Sequence, residues 1–197
     1  MQASVKTYLE KASRFPLETR ITRDNGEALG LEDAFGISID AIQAMNEAGN
    51  TLRFIGNGGS AGIASHMAVD FSKRGKVRAT ALNDASMLTC LGNDLGYEEV
   101  FSHQLGLHAR EGDMLIAISS SGQSENITRA VEVALERGVA VHTFSGFSPD
   151  NPLRQKGGIN YYIDSMEYGF VELAHMALLS AMIDLLLGWR EDKPLGI

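Results

Sequence analysis

At 197 residues with 44% apolar side chains, the chain is long enough to fill one core, and no low-complexity stretch divides it, so a single domain is expected over 1–197. Its formal net charge of −8 weighs against nucleic acid as a partner, because neutralising phosphates takes a basic face. One cysteine, Cys90, excludes an internal disulfide framework and a four-cysteine zinc site, and suits a reducing compartment.

The opening stretch, MQASVKTYLEKASRF, lacks the apolar centre of a secretory signal. Helices are expected over 2–23 and 31–47. The second carries Phe35, Ile37, Ile39, Ile42 and Met45 on more than one side, the pattern of a helix that packs on two neighbours, one of them in another subunit. Residues 1–48 are therefore read as N-terminal helices for oligomer packing, and 50–189 as the core. In that core, strands at 51–55, 79–82, 114–118, 139–144 and 160–163 alternate with helices at 60–73, from Ala85, at 125–137 and at 170–189. The loop before the last strand holds Pro149 and Pro152, with a short turn capped by Asn151. Such alternation predicts an α/β fold: a doubly wound parallel sheet with helices on both faces and right-handed crossovers. The run 173–189 is the most apolar, but it contains His175, Ser180 and Asp184 and is too short for a membrane span. A buried helix is expected instead, in a soluble, cytoplasmic protein with no membrane contact.

In such sheets ligands bind beyond the carboxyl ends of the strands. After the first core strand comes Gly56-Asn57-Gly58-Gly59-Ser60. Its glycines allow close approach to a ligand or merely a tight turn. The offsets match neither the dinucleotide fingerprint nor a P-loop, so no nucleotide cofactor is expected. After the third strand comes Ser119-Ser120-Ser121-Gly122-Gln123-Ser124, and then a helix opens at once with Glu125 and Asn126. Hydroxyls, unpaired backbone N–H groups and the positive end of a helix dipole meet there, which predicts a phosphate site. His66 and Asp70 lie four apart, and Glu172 and His175 three apart, so each pair shares a helix face. Both pairs have an ordinary reading as helix-stabilising contacts and a functional one as acid and base or as ligands to a divalent metal. His103 and His108 lie on a predicted helix and read as structural or exposed. The basic cluster Lys73, Arg74, Lys76 and Arg78 reads either as a solvated helix end or as a hold on an anionic ligand.

Three stretches in order, FIGNGGSAGIASH, LTCLGNDLGY and ISSSGQSENI, resemble the sugar-isomerase (SIS) domain family over about 50–187. The resemblance implies a three-layer, flavodoxin-like, five-stranded parallel sheet, a homotetramer with sites between subunits, and a sugar-phosphate ligand. Carried across, Asn57, Gly58, Gly59, Asn93 and Asp94 contact substrate, while Ser119, Ser120, Ser121 and Ser124 hold the phosphate. The implied reaction is aldose–ketose isomerisation of sedoheptulose 7-phosphate or a related sugar phosphate through an enediol. Asp70, Glu172 and His175 are the catalytic candidates, and His66, Asp70 and Glu172 the candidate zinc ligands. The chain departs from the family's isomerases at three positions: Asp70 stands where they carry a glutamate base, Glu172 where they carry a glutamine, and Ser180 where they carry the acid histidine. The family also includes sensors that bind sugar phosphates without chemistry and a DnaA initiator-associating interaction protein, so both remain alternatives.

Overall fold

The computed structural model describes residues 4–192 and 195. In chain order it contains α1 (Val5–Ala12), β1 (Arg20–Arg23), β2 (Ala28–Leu29), α2 (Leu31–Glu47), β3 (Leu52–Gly56), α3 (Gly59–Lys73) and β4 (Ala79–Ala81). Then follow α4 (Ala85–Asp94), α5 (Ser102–His108), β5 (Met114–Ser119), α6 (Glu125–Glu136), β6 (Ala140–Ser145), β7 (Ile159–Tyr162) and α7 (Tyr168–Leu186). Every residue of β5 is buried, as a strand covered on both faces requires, and the unbroken apolar run Met114 to Ile118 meets that requirement.

Five strands, in the order β4-β3-β5-β6-β7, pair in parallel. Numbered along the core this is the 2-1-3-4-5 order of a flavodoxin-like sheet. One apolar layer joins α2, α3 and α7 to one face through Ile42, Met67, Phe71, Leu179 and Ile183. A second joins α4, α5 and α6 to the other through Leu91, Leu105, Ile127 and Val131. The result is three layers. By length and apolarity α7 could cross a membrane, but Phe170, Val171, Ala174, Leu178, Leu179, Met182 and Ile183 are spent on the core. It ends near Gly188, whose φ of +83° breaks the helix, and Trp189 lies beyond it.

The sheet has two more strands than expected, because the single helix over 2–23 does not form. Of that segment Gln2 and Ala3 lie outside the described residues, α1 stops at Ala12, and Arg20–Arg23 adds antiparallel to the edge of β7. The β-branched pair Ile21-Thr22 suits a strand, and Asp24-Asn25-Gly26 supplies a hairpin turn in which Gly26 takes φ +82°. Burial of Ile21 to 2% exposure rewards the pairing, so tertiary contact overrides helical periodicity.

Two histidines are sealed in this architecture. His142 on β6 meets Ser38 through Nδ1 at 3.2 Å, and the Ser38 hydroxyl lies 2.7 Å from that of Tyr161. His175 on α7 donates its Nε2 proton to the Ser145 carbonyl at 3.2 Å. Burial pushes both imidazoles down to about 4. In the unfolded chain each binds a proton below its ordinary value of about 6.5, whereas in the fold neither does until about 4. Stability is therefore complete above pH 6.5 and declines as pH falls toward 4. Urea unfolding at pH 7 and pH 5 should show a loss of about 2 kcal/mol per histidine at the lower pH. The slope should be shallower in His142→Gln, and a flat profile between these pH values would contradict the buried neutral state.

Candidate active site

Chain order reverses between β3 and β5, since β3 leads outward to β4 while β5 leads the other way to β6. At such a point the loops after the two strands part and leave a crevice. Here a cavity of about 260 Å³ opens between them. The glycine loop contributes Asn57, Gly58, Gly59 and Ser60, the serine loop contributes Ser119, Ser120, Ser121 and Ser124, and α7 contributes Tyr168 and Glu172.

Two helices begin at this cavity without side-chain caps. Gly58, at φ +54°, precedes α3, and Ser124 precedes α6, and neither side chain hydrogen-bonds the first turn. Ala61 and Ile127 already donate to the Gly58 and Ser124 carbonyls, so the two N–H groups that open each helix, of Gly59 and Ser60 and of Glu125 and Asn126, are left for a ligand. Ser120 Oγ is buried and has no partner among the described residues, a cost relieved by an acceptor in the cavity. Ser119 Oγ accepts the Gly122 N–H at 3.2 Å and lies 3.4 Å from Ser124 Oγ, so the loop closes on itself.

That loop is clamped from outside. Gly122 takes φ +63°, and a Cβ placed there would overlap the Asn151 side chain. The Asn151 amide is itself held, donating to Ser145 Oγ at 3.2 Å and to the Ser148 carbonyl at 2.8 Å. Across the cavity, Asn57 and Asn126 exchange two amide hydrogen bonds of 2.9 Å, and Tyr97 donates its hydroxyl proton to Asn57 Oδ1 at 3.0 Å. The Asn57 side chain is therefore committed to joining the two loops.

Glu172 is the only charged residue among those lining the cavity. Its carboxylate rests against Gly59, where a Cβ would overlap it, beside the positive end of α3. Of the residues expected from the sequence to bind or react with substrate, Asn57, Gly58, Gly59, the four loop serines and Glu172 line this cavity. Ser60, Tyr168, Asn126 and Tyr97 were missed. Asn126 had been read only as a helix opener, and Tyr168 falls just before the expected start of its helix.

Other candidates stand elsewhere. Asp70 is eleven residues along α3 from Gly59, about 16 Å by helical rise, and does not line the cavity. Its Oδ2 lies 3.7 Å from His66 Nε2 and 3.5 Å from Arg74 Nη1, and Arg74 Nη2 reaches Asp184 at 2.6 Å. Asp70 thus belongs to an ion-pair chain between α3 and α7. His175 is fully buried, bound to the Ser145 carbonyl and edge-on to Phe144, so it faces the sheet and not the cavity. Asn93 and Asp94 are exposed at the end of α4, where Asn93 donates to Asp94 and Cys90 Sγ to the same carboxylate. Neither lines the cavity within one chain. Within one chain His66, Asp70 and Glu172 are not gathered for a zinc ion: no three His, Cys, Asp or Glu side chains come together for a metal among the described residues, and Arg74 sits against Asp70.

A family model for the SIS domain matches residues 24–146. The phosphoheptose isomerase of Akkermansia muciniphila is 40% identical over 134 residues, covering 62% of this chain and 69% of that one. That of Citrifermentans bemidjiense is 32% identical over 161 residues, covering 79% and 81%. Among solved structures, the phosphoheptose isomerase of Neisseria gonorrhoeae superposes with a TM-score of 0.78 at 28% identity, covering 92% of this chain and 97% of that one.

The clamp on the serine loop can be tested directly. Gly122→Ala forces a side chain into the Asn151 amide at a positive φ, so affinity for inorganic phosphate measured by calorimetry should fall at least about tenfold. Unchanged affinity would show that the loop does not seat the anion.

Proposed function

We propose a function from one premise: the chain belongs to the SIS domain family. It acts as a sugar-phosphate aldose–ketose isomerase; its similarity to phosphoheptose isomerases supports a heptose phosphate as substrate, which we take to be sedoheptulose 7-phosphate. The observation that carries this reading is a cavity in which five serines, four of them from the serine loop, and two uncapped helix N-termini face one carboxylate.

Ser119, Ser120, Ser121, Ser124 and the first N–H groups of α6 bind the phosphate and fix the sugar's position. Glu172, on the α7 wall beside Gly59, takes the proton from the carbon next to the carbonyl. The electron pair moves to form an enediol, and the same carboxyl returns the proton to the neighbouring carbon. Protons on the two oxygens transfer through the Tyr168 hydroxyl or solvent. No step is routed through a metal, because the donor set does not gather one within a chain.

The base is assigned to Glu172 and not to Asp70 on position alone: the first lines the cavity, while the second is paired with Arg74. This chain carries a carboxylate at 172 where the family's isomerases carry an amide. We also read the protein as a cytoplasmic homotetramer. Exposed Leu9, Leu17 and Leu173, and an apolar groove between Leu17, Phe35, Ala177 and Leu185, support association. In such an assembly the exposed His66 and the Asn93-Asp94 pair would be placed to meet a neighbour.

Two substitutions divide the assignment. Glu172→Gln, which removes the charge at nearly constant shape, should lower kcat on sedoheptulose 7-phosphate by about 10²- to 10⁴-fold with little change in KM. Asp70→Asn should retain most of the activity. The reverse pattern would transfer the base to Asp70 and place the chemistry away from this wall.

A further inference from the structure

The opposite end of the sheet holds a second polar cavity that the proposed isomerase reaction does not use. It has a volume of about 380 Å³ and lies at the amino ends of β3, β4 and β5. Arg53 comes from β3, Arg78 from just before β4, and Arg110 and His108 from the turn before β5. Asn50 lines it as well, and the one acid there is Asp113.

The charges do not cancel. Asp113 is 3% exposed, and both of its oxygens are already spent: Oδ1 accepts the Thr51 N–H at 2.8 Å, and Oδ2 accepts the Arg110 N–H and Arg53 Nη2, both at 3.0 Å. Arg78, Arg110 and His108 make no side-chain hydrogen bond or ion pair among the described residues. Two guanidinium charges thus face the cavity unanswered, in a chain whose formal net charge is −8. A cleft lined by one sign of charge focuses its field and concentrates counter-ions, here anions.

Arg53 adds a prepared donor. Its side chain is 11% exposed and held in place, with Nη2 donating to the His108 carbonyl at 2.9 Å as well as to Asp113. Nη2 alone of its three nitrogens is hydrogen-bonded among the described residues, and the buried Nε–H has no acceptor. A fixed guanidinium with unused donors is suited to phosphate oxygens, and one already ordered loses little entropy on binding.

We propose that this cavity is a second anion site, selective for a small phosphorylated metabolite, at the end of the sheet remote from the serine loop. Phosphate fits better than carboxylate, since three guanidinium groups and an imidazole offer donors to more than two oxygens. The site explains Arg78, the one member of the sequence's basic cluster that lines it. Arg74 is occupied with Asp70 and Asp184, and Lys73 lies on α3 away from the cavity.

The test uses the full chain and inorganic pyrophosphate, followed by calorimetry at low salt. Wild type should bind at two classes of site per chain. Ser124→Asp, which puts a negative charge in the serine loop, should abolish one class, and Arg78→Ser with Arg110→Ser should weaken the other at least tenfold while leaving isomerase activity intact. Both arginines are exposed, so the double variant keeps the fold, and its circular dichroism checks this. Full occupancy of both classes in the double arginine variant would overturn the proposal, as would a single class in wild type that Ser124→Asp removes entirely.

Discussion

Two side-chain amides, Asn57 and Asn126, hold the site together. Each donates to the other at 2.9 Å, so the glycine loop after β3 and the start of α6 cannot separate without breaking both bonds. Hydrogen bonds of this kind contribute only about 1 kcal/mol each, and the greater effect is geometric. The pair spans the switch point of the sheet, where no other side-chain hydrogen bond among the described residues joins the diverging loops. Two uncapped helix N-termini are thereby kept beside one cavity, and the serines are aimed at a common centre.

That arrangement carries an electrostatic tension. Uncapped helix ends and a partnerless Ser120 hydroxyl favour an anion, yet Glu172 brings a negative charge to the same cavity. Location resolves the conflict. Glu172 rests at Gly59, where the α3 dipole stabilises it, and the serine loop leaves the α6 dipole for the phosphate. In the proposed function a sugar phosphate lies with its charged end at the start of α6 and its carbon chain toward the carboxylate. The glycine at 59 leaves the Glu172 carboxylate its place, since a Cβ there would displace it.

Much of this was legible in the chain. Apolar runs bounded by turn residues point to the five parallel strands, and the hydroxyl-rich turn between Ile118 and Glu125 points to the loop proposed to seat phosphate, because local chemistry dictates both. The hairpin of β1 and β2 was missed although Asn25-Gly26 is a strong turn signal: the helical spacing before it masked two short strands that are stable only against β7. The catalytic side chains were harder still. Helix periodicity put Asp70 on a face with His66 and put His175 near Glu172, but periodicity does not say which face meets the cavity. The α3–α7 ion pairs claim Asp70, and the Ser145 carbonyl claims His175. The Asn57–Asn126 bridge joins residues 69 positions apart, and no spacing rule reveals such a contact.

The proposed function requires proton transfer at carbon in a cavity that seats phosphate. Incubation of the protein with sedoheptulose 7-phosphate in deuterium oxide, followed by proton NMR, tests this most directly. Deuterium should enter carbon 1 of the ketose and carbon 2 of the aldose formed from it, and inorganic phosphate should slow both by competing for the serine loop. Absence of exchange and of product at high protein concentration would contradict the account and leave a binding protein without the chemistry.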